Sequence, residues 1–341
     1  MIKRIVSTSF GQAHSGGARF CVPRTRGSAS LQKSAKLEGH ASACPGLFKM
    51  LVSLLAFAGF TAIGYADLRV VATVPNMGML AREIGGEAVE VRVMAPPNRD
   101  AHFLEARPSM MAALRRADLV VAVGAELEIG WLPAAIQGAN NRRVQPGQPG
   151  YFEAAQAVEL IGVGKPADRA LGDVHPSGNP HFYMDPERLV EAGYALAQRL
   201  GSLELEKADY FQDNAERLEE RVAQRMPEWR EKTVGAPGVL LYHEDADYLL
   251  IRLDVPLLGY IEPLPGIPPT ARHLRTLVSE LEGREGIIWT MEYQPADGGR
   301  FLSRELDWPA VQLPSQVSME GDLDEYFEMI DNWVNSLTAT E

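Results

Sequence analysis

The chain has 341 residues, 23% of them charged and 46% apolar, which is ordinary for a soluble globular protein and long enough for two domains. Its formal net charge of −12 argues against nucleic acid as a partner and favours cationic ones. Both cysteines, Cys21 and Cys44, lie near the N-terminus, so neither a disulfide nor a thiolate metal site is expected in the bulk of the chain.

Residues 1–49 carry eight Lys/Arg and one acid, without sustained periodicity. Leu51 to Ile63 is an uncharged apolar run, preceded by Lys49 and followed by Gly64-Tyr65-Ala66. A basic segment, an apolar segment and a small-x-small site together spell a secretory signal cut after Ala66. The run is too short to span a bilayer, which takes about 20 residues. Met50, directly before the apolar run, is a second candidate start. Without residues 1–66 the chain keeps 25 basic against 44 acidic residues, a balance of −19, and loses both cysteines. A free, soluble protein outside the cytoplasm, with no lipid-acceptor cysteine after the apolar run, is expected.

From Asp67 onward, strand and helix patterns alternate. Leu68 to Val74 reads as a buried strand, Met77 to Ile84 as a helix ending at Gly85-Gly86, and Val89 to Val93 as a second strand. A helix from Ser109 to Arg116 and a strand from Asp118 to Val123 follow, and Gly138 to Gly150 reads as a surface loop. Gly172 to Pro186 contains Pro176, Gly178 and Pro180, which exclude regular structure and put His175 and His181 on a loop. Asp185 is the expected N-cap of a helix from Pro186 to Leu200. Phe211, Ala215, Leu218, Val222, Met226 and Trp229 then recur at helical spacing within Glu206 to Lys232, about 40 Å of helix, with Pro227 expected to perturb its last turns.

A second alternating series completes the chain. Strands are expected at Val239 to Tyr242, Leu257 to Ile261, Gly286 to Thr290 and around Val311 to Leu313. Helices are expected at Ala246 to Leu253, after Thr270 to Leu281, around Gly299 to Leu306, and at Leu323 to Leu337. The fold class is therefore α/β: two parallel-sheet lobes joined by a long spine helix. The expected division is a leader (1–66), a first lobe (67–205), the spine (206–232) and a second lobe (233–341). Ligands in such sheets bind at the carboxyl ends of strands. His102 follows the second strand, His181 precedes a helix in the same lobe, and His243 ends the first strand of the second lobe, so all three can face the crevice between lobes. Neutral imidazoles suit borderline cations such as Zn²⁺.

Four segments carry a resemblance: Asp100-Ala-His-Phe-Leu-Glu-Ala-Arg-Pro-Ser109, Gly178-Asn-Pro-His-Phe-Tyr-Met-Asp-Pro186, Tyr242-His-Glu-Asp-Ala-Asp-Tyr248 and Gly259-Tyr-Ile-Glu-Pro-Leu-Pro-Gly-Ile-Pro-Pro-Thr270. In order and spacing they resemble the motifs of the periplasmic zinc/manganese-binding proteins of ABC importers, over Leu68 to Leu337. The resemblance implies one metal in the interlobe cleft, held by His102, His181 and His243 and delivered to an ABC permease in the membrane. It also implies little movement between lobes.

The sequence departs from that family twice. Where members supply a fourth, aspartate ligand, this chain has Leu313-Pro-Ser-Gln316, leaving Glu292, Asp297 or water as candidates. Pro146 to Lys165 also lacks the histidines of the mobile loop found in zinc-specific members. Three imidazoles favour zinc over Mn²⁺, which prefers more carboxylates. His175 reads either as a donor beside the metal ligands or, the preferred reading, as a surface residue, and His273 is expected on the surface of its helix. Glu262 is expected to tie its Pro-rich loop, while Asp100 and Glu105 either orient His102 through its second nitrogen or are solvated acids, with nothing in the sequence to choose between the two. A secreted three-histidine zinc hydrolase is the alternative, weakened by the lack of an H-E-x-x-H motif; surface adhesion is a third reading, weakened by the missing lipid-acceptor cysteine.

Overall fold

A computed structural model describes residues 68–164 and 175–338; the expected signal sequence lies outside the described residues. Two four-stranded parallel sheets organise the chain. The first comprises β1 (Leu68–Ala72), β2 (Val89–Val93), β3 (Leu119–Ala122) and β4 (Tyr151–Glu153), in the order β2-β1-β3-β4. The second comprises β5 (Gly238–Leu241), β6 (Leu257–Tyr260), β7 (Gly286–Met291) and β8 (Ala310–Leu313), in the order β6-β5-β7-β8. β3, β5 and β7 are buried along their whole length, as strands covered by helices on both faces must be.

The helices start and stop where local chemistry dictates. In α1 (Pro75–Gly85) the first proline sacrifices an N–H that has no partner in a first turn anyway, so the helix begins two residues earlier than its apolar spacing suggests. Gly78 lets α1 approach the first sheet, because a Cβ there would sit 2.4 Å from Val93 Cγ2. α2 (Pro108–Arg116) follows the first histidine motif. α3 (Leu132–Ala139) and β4 were not anticipated: the helix is brief and rich in alanine, and a three-residue edge strand carries too little alternation to register. α4 (Pro186–Leu203) opens with Pro186 at its first position and the Asp185 carboxylate accepting from Glu187 N at 3.0 Å.

The spine is α5 (Ala208–Lys232), entered by a 3₁₀ turn at Leu205–Lys207 and continuing through Pro227 to Lys232. Its expected apolar stripe is buried, joined by Asn214. In the second lobe, α6 (Asp247–Arg252), α7 (Ala271–Leu281), α8 (Ala296–Leu306) and α9 (Leu323–Ser336) surround the second sheet. α5 packs on α1 and α4 of the first lobe and on α9 of the second. Trp229 Nε1 donates to Asp331 of α9 at 2.7 Å, and the Trp229 and Phe327 rings meet edge to face.

One hydrophobic cluster draws residues from both lobes, Leu68 to Leu337, and includes the inner faces of both sheets. Smaller clusters cover the outer faces, one around Val120, Trp131 and Leu132, the other around Leu240, Ile288 and Trp308. Polar ties also cross between lobes. Asn76, in the first turn of α1, donates to Ser315 O (2.9 Å) and accepts from Val317 N (3.0 Å), beyond β8. Tyr326 Oη donates to Tyr183 O at 2.8 Å and Tyr248 Oη to Asn179 O at 2.7 Å. Arg252 of α6 reaches the fully buried Asp185 carboxylate with two bonds of 2.8 Å. The carboxyl ends of the two sheets thus face each other across a cleft closed by hydrogen bonds.

Candidate metal centre

His102 sits in a 3₁₀ turn (Ala101–Phe103) beyond β2. Asp100 caps that turn, accepting the His102 backbone N–H at 2.9 Å and the ring Nδ1 at 2.7 Å. The proton therefore belongs on Nδ1, and Nε2 keeps its lone pair. His181 opens another 3₁₀ turn (His181–Met184), where the Asn179 side chain accepts its backbone N–H at 2.8 Å and Tyr183 Oη lies 2.9 Å from Nδ1. Its Nε2 is buried and meets no hydrogen-bond partner among the described residues. His243 follows β5, with Glu262 Oε2 3.1 Å from Nδ1. That same oxygen accepts Gly266 N at 2.9 Å, so Glu262 ties its proline-rich loop and orients the histidine at once.

Each ring is held through Nδ1, and each can present Nε2 inward. Ligand atoms of His102, His181 and His243 lie within 4.8 Å of one another, and the ring centroids are 5.3–5.8 Å apart. This group could hold one metal ion. His102 and His181 also line a narrow space shared with Tyr183, Tyr293, Ser315 and Gln316.

The surroundings keep the donors in different charge states. Burial, reinforced by the neighbouring imidazoles, holds His181 well below the usual histidine range, so it stays neutral and ready to donate a lone pair. At His243 burial opposes charge, but the Asp245 and Glu262 carboxylates outweigh it and raise the pKa to about 9. Burial also pushes the Asp100 carboxyl upward, but its bonds to His102 leave it below the ordinary range.

The sequence expectations fare unevenly. Glu292 is exposed at the end of β7 and is not brought into the histidine group, and Asp297 is exposed and paired with Arg300. Glu105 is exposed, and Asp100 is the acid bonded to His102. His273 is half-buried on α7, its Nε2 3.3 Å from Tyr260 O. His175 is not at the surface: it is 7% exposed, and its Nε2 lies 3.0 Å from His102 Nε2. Its Nδ1 meets Ala125 O at 3.1 Å, in a turn after β3 where Gly124, Ala125 and Glu126 all have positive φ. Two non-glycine residues held there are strained, and such strain concentrates at functional sites. Sequence reading also passed over Asp245, 2% exposed and two residues beyond His243. The signal was present, since an acid beside a strand-end histidine is a plausible donor, but an Asp within a run of acids reads as a solvated one.

Known proteins place this architecture. The high-affinity zinc uptake system protein ZnuA of Yersinia pestis is 24% identical over 259 residues, covering 72% of this chain and 81% of the relative. The manganese ABC transporter substrate-binding lipoprotein PsaA of Streptococcus pneumoniae is 22% identical over 249 residues, covering 71% and 73%. A crystal structure of ZnuA shares the fold with a TM-score of 0.67 at 18% identity, covering 80% of this chain and 100% of that one. The binding protein FpvC of Pseudomonas aeruginosa, solved with Ni²⁺, matches at 0.66 and 20% identity over 81% of this chain and 98% of that one. A family model described as "ZnuA: Zinc-uptake complex component A periplasmic" matches residues 70–340, so the chain belongs to this family of periplasmic metal-uptake components.

Proposed function

We propose that this protein captures Zn²⁺ outside the cytoplasm and delivers it to an ABC permease, holding the ion with His102, His181 and His243 and transforming nothing. The observation that carries this reading is the convergence of three imidazoles, each fixed through Nδ1 by Asp100, Tyr183 or Glu262. Such outer partners orient a metal-binding histidine and raise its basicity. The ion is cargo, and a centre of neutral nitrogen donors suits zinc better than manganese. The names of the relatives point to both metals, since the Yersinia protein is named for zinc and the pneumococcal one for manganese.

The same reading makes residues 1–66 a leader that directs a soluble monomer without a lipid anchor to the periplasm. It divides the remainder into a lobe (67–205), a spine (206–232) and a second lobe (233–341). The continuous core and the interlobe hydrogen bonds support a small movement between loaded and empty states. Metal competition tests the proposal: one equivalent of Zn²⁺ per chain should bind and displace Mn²⁺ at equal concentration. Retention of Mn²⁺ against Zn²⁺, or turnover of ester or peptide substrates by the zinc-loaded protein, would contradict it.

A further inference from the structure

The three histidines leave a four-coordinate ion one donor short, and the carboxylate best placed to complete it is neither Glu292 nor Asp297. Asp245 lies in the 3₁₀ turn Glu244–Ala246, directly after His243. Its Oδ1 is 3.8 Å from His181 Nε2, the buried nitrogen that has no hydrogen-bond partner among the described residues. Tyr293 Oη donates to Oδ1 at 3.0 Å and Gln294 Nε2 to Oδ2 at 2.6 Å. These two bonds fix the plane of the carboxylate while each oxygen keeps a second lone pair.

We propose that Asp245 is the fourth donor of the centre, so that one cation is held by His102, His181, His243 and Asp245 Oδ1. This rests on the metal-capture reading above and deepens it. Zinc–ligand bonds of about 2.0–2.1 Å give a tetrahedral donor–donor edge of roughly 3.3 Å, so the 3.8 Å gap to His181 closes by about half an ångström as the ion binds, while Asp245, outside the 4.8 Å group of the three histidines, also draws in towards His102 and His243. The carboxylate brings the charge of a divalent site down by one unit, which an imidazole cannot do. The competing donor is His175, through its Nε2 beside His102.

The test compares wild type, Asp245→Asn, Asp245→Ala and His175→Ala. Zn²⁺ affinity is read by chelator competition and the donor set by the visible spectrum of the Co²⁺ form; circular dichroism of the metal-free variants reports folding. Both Asp245 variants should weaken Zn²⁺ more than about 100-fold, beyond the 10–100-fold expected for an outer partner, and should shift the Co²⁺ bands. The near-isosteric Asp245→Asn keeps the test independent of folding. His175→Ala should leave the bands in place. Asp245 variants that keep the wild-type bands and bind within about tenfold of wild type, or a band shift in His175→Ala instead, would overturn the assignment while leaving metal capture standing. A wild-type chain that binds neither ion would instead overturn the capture reading itself.

Discussion

Asp185 offers the sharpest test of how the two lobes are held. Its side chain is completely buried at the start of α4, where it caps the helix and meets Arg188 and Arg252. Arg252 belongs to the second lobe and binds both carboxylate oxygens at 2.8 Å. Asp185→Asn keeps a good N-cap residue but removes the charge, leaving two guanidinium groups without it. Breaking a buried pair by removing one partner costs about 3–5 kcal/mol. Arg252 is 21% exposed and retains Glu187 as a second carboxylate, so the lower end, about 3 kcal/mol, is expected. For a chain of this size that corresponds to a fall in Tm of roughly 6–12 °C. Urea and thermal unfolding of the metal-free protein, followed by circular dichroism, should show a lower midpoint at unchanged slope. A loss below about 1 kcal/mol would refute the view that this pair couples the lobes.

Three further outcomes follow from the same geometry. Pro227 is exposed inside α5 and deprives the helix of one hydrogen bond, so Pro227→Ala should stabilise by about 1–3 kcal/mol in urea unfolding; a destabilised variant would contradict this. His243, raised to about 9, carries a proton that zinc must displace. Zn²⁺ affinity should therefore fall about tenfold per pH unit as pH drops below 9, and calorimetry in two buffers should find about one proton released near pH 7; affinity independent of pH would contradict this. Burial, aided by Glu244, raises the Asp247 carboxyl to about 7 despite a 2.7 Å bond from Tyr260. Since its folded pKa exceeds the unfolded value of 3.8, the stability it contributes is full below that value and lost as pH rises through about 7. Asp247→Asn should accordingly stabilise by roughly 4 kcal/mol at pH 8 and little at pH 4; an equal effect at both would refute the assignment.

Much of this architecture was legible in the residues. The stripe from Phe211 to Trp229 gave the spine because one apolar face per 3.6 residues has a single helical solution. Apolar runs at Leu119 and Ile287 gave central strands for the same kind of reason. β4 escaped because three residues at a sheet edge are fixed by pairing with β3 rather than by their own pattern. At the candidate site, the positions of His102, His181 and His243 followed from strand ends and a proline-bounded loop. The inward places of His175 and Asp245 did not, because burial of a loop side chain depends on what the opposite lobe lays over it. Ser315 and Gln316 illustrate the same limit: they are engaged by Asn76, 239 and 240 residues away in the chain.

The most direct measurement is a Zn²⁺ titration of the protein beside its His102→Ala, His181→Ala and His243→Ala variants, with circular dichroism confirming that each is folded. The account predicts one tight equivalent for the wild type and a large loss of affinity in each variant. No binding, or binding untouched by all three substitutions, would contradict it.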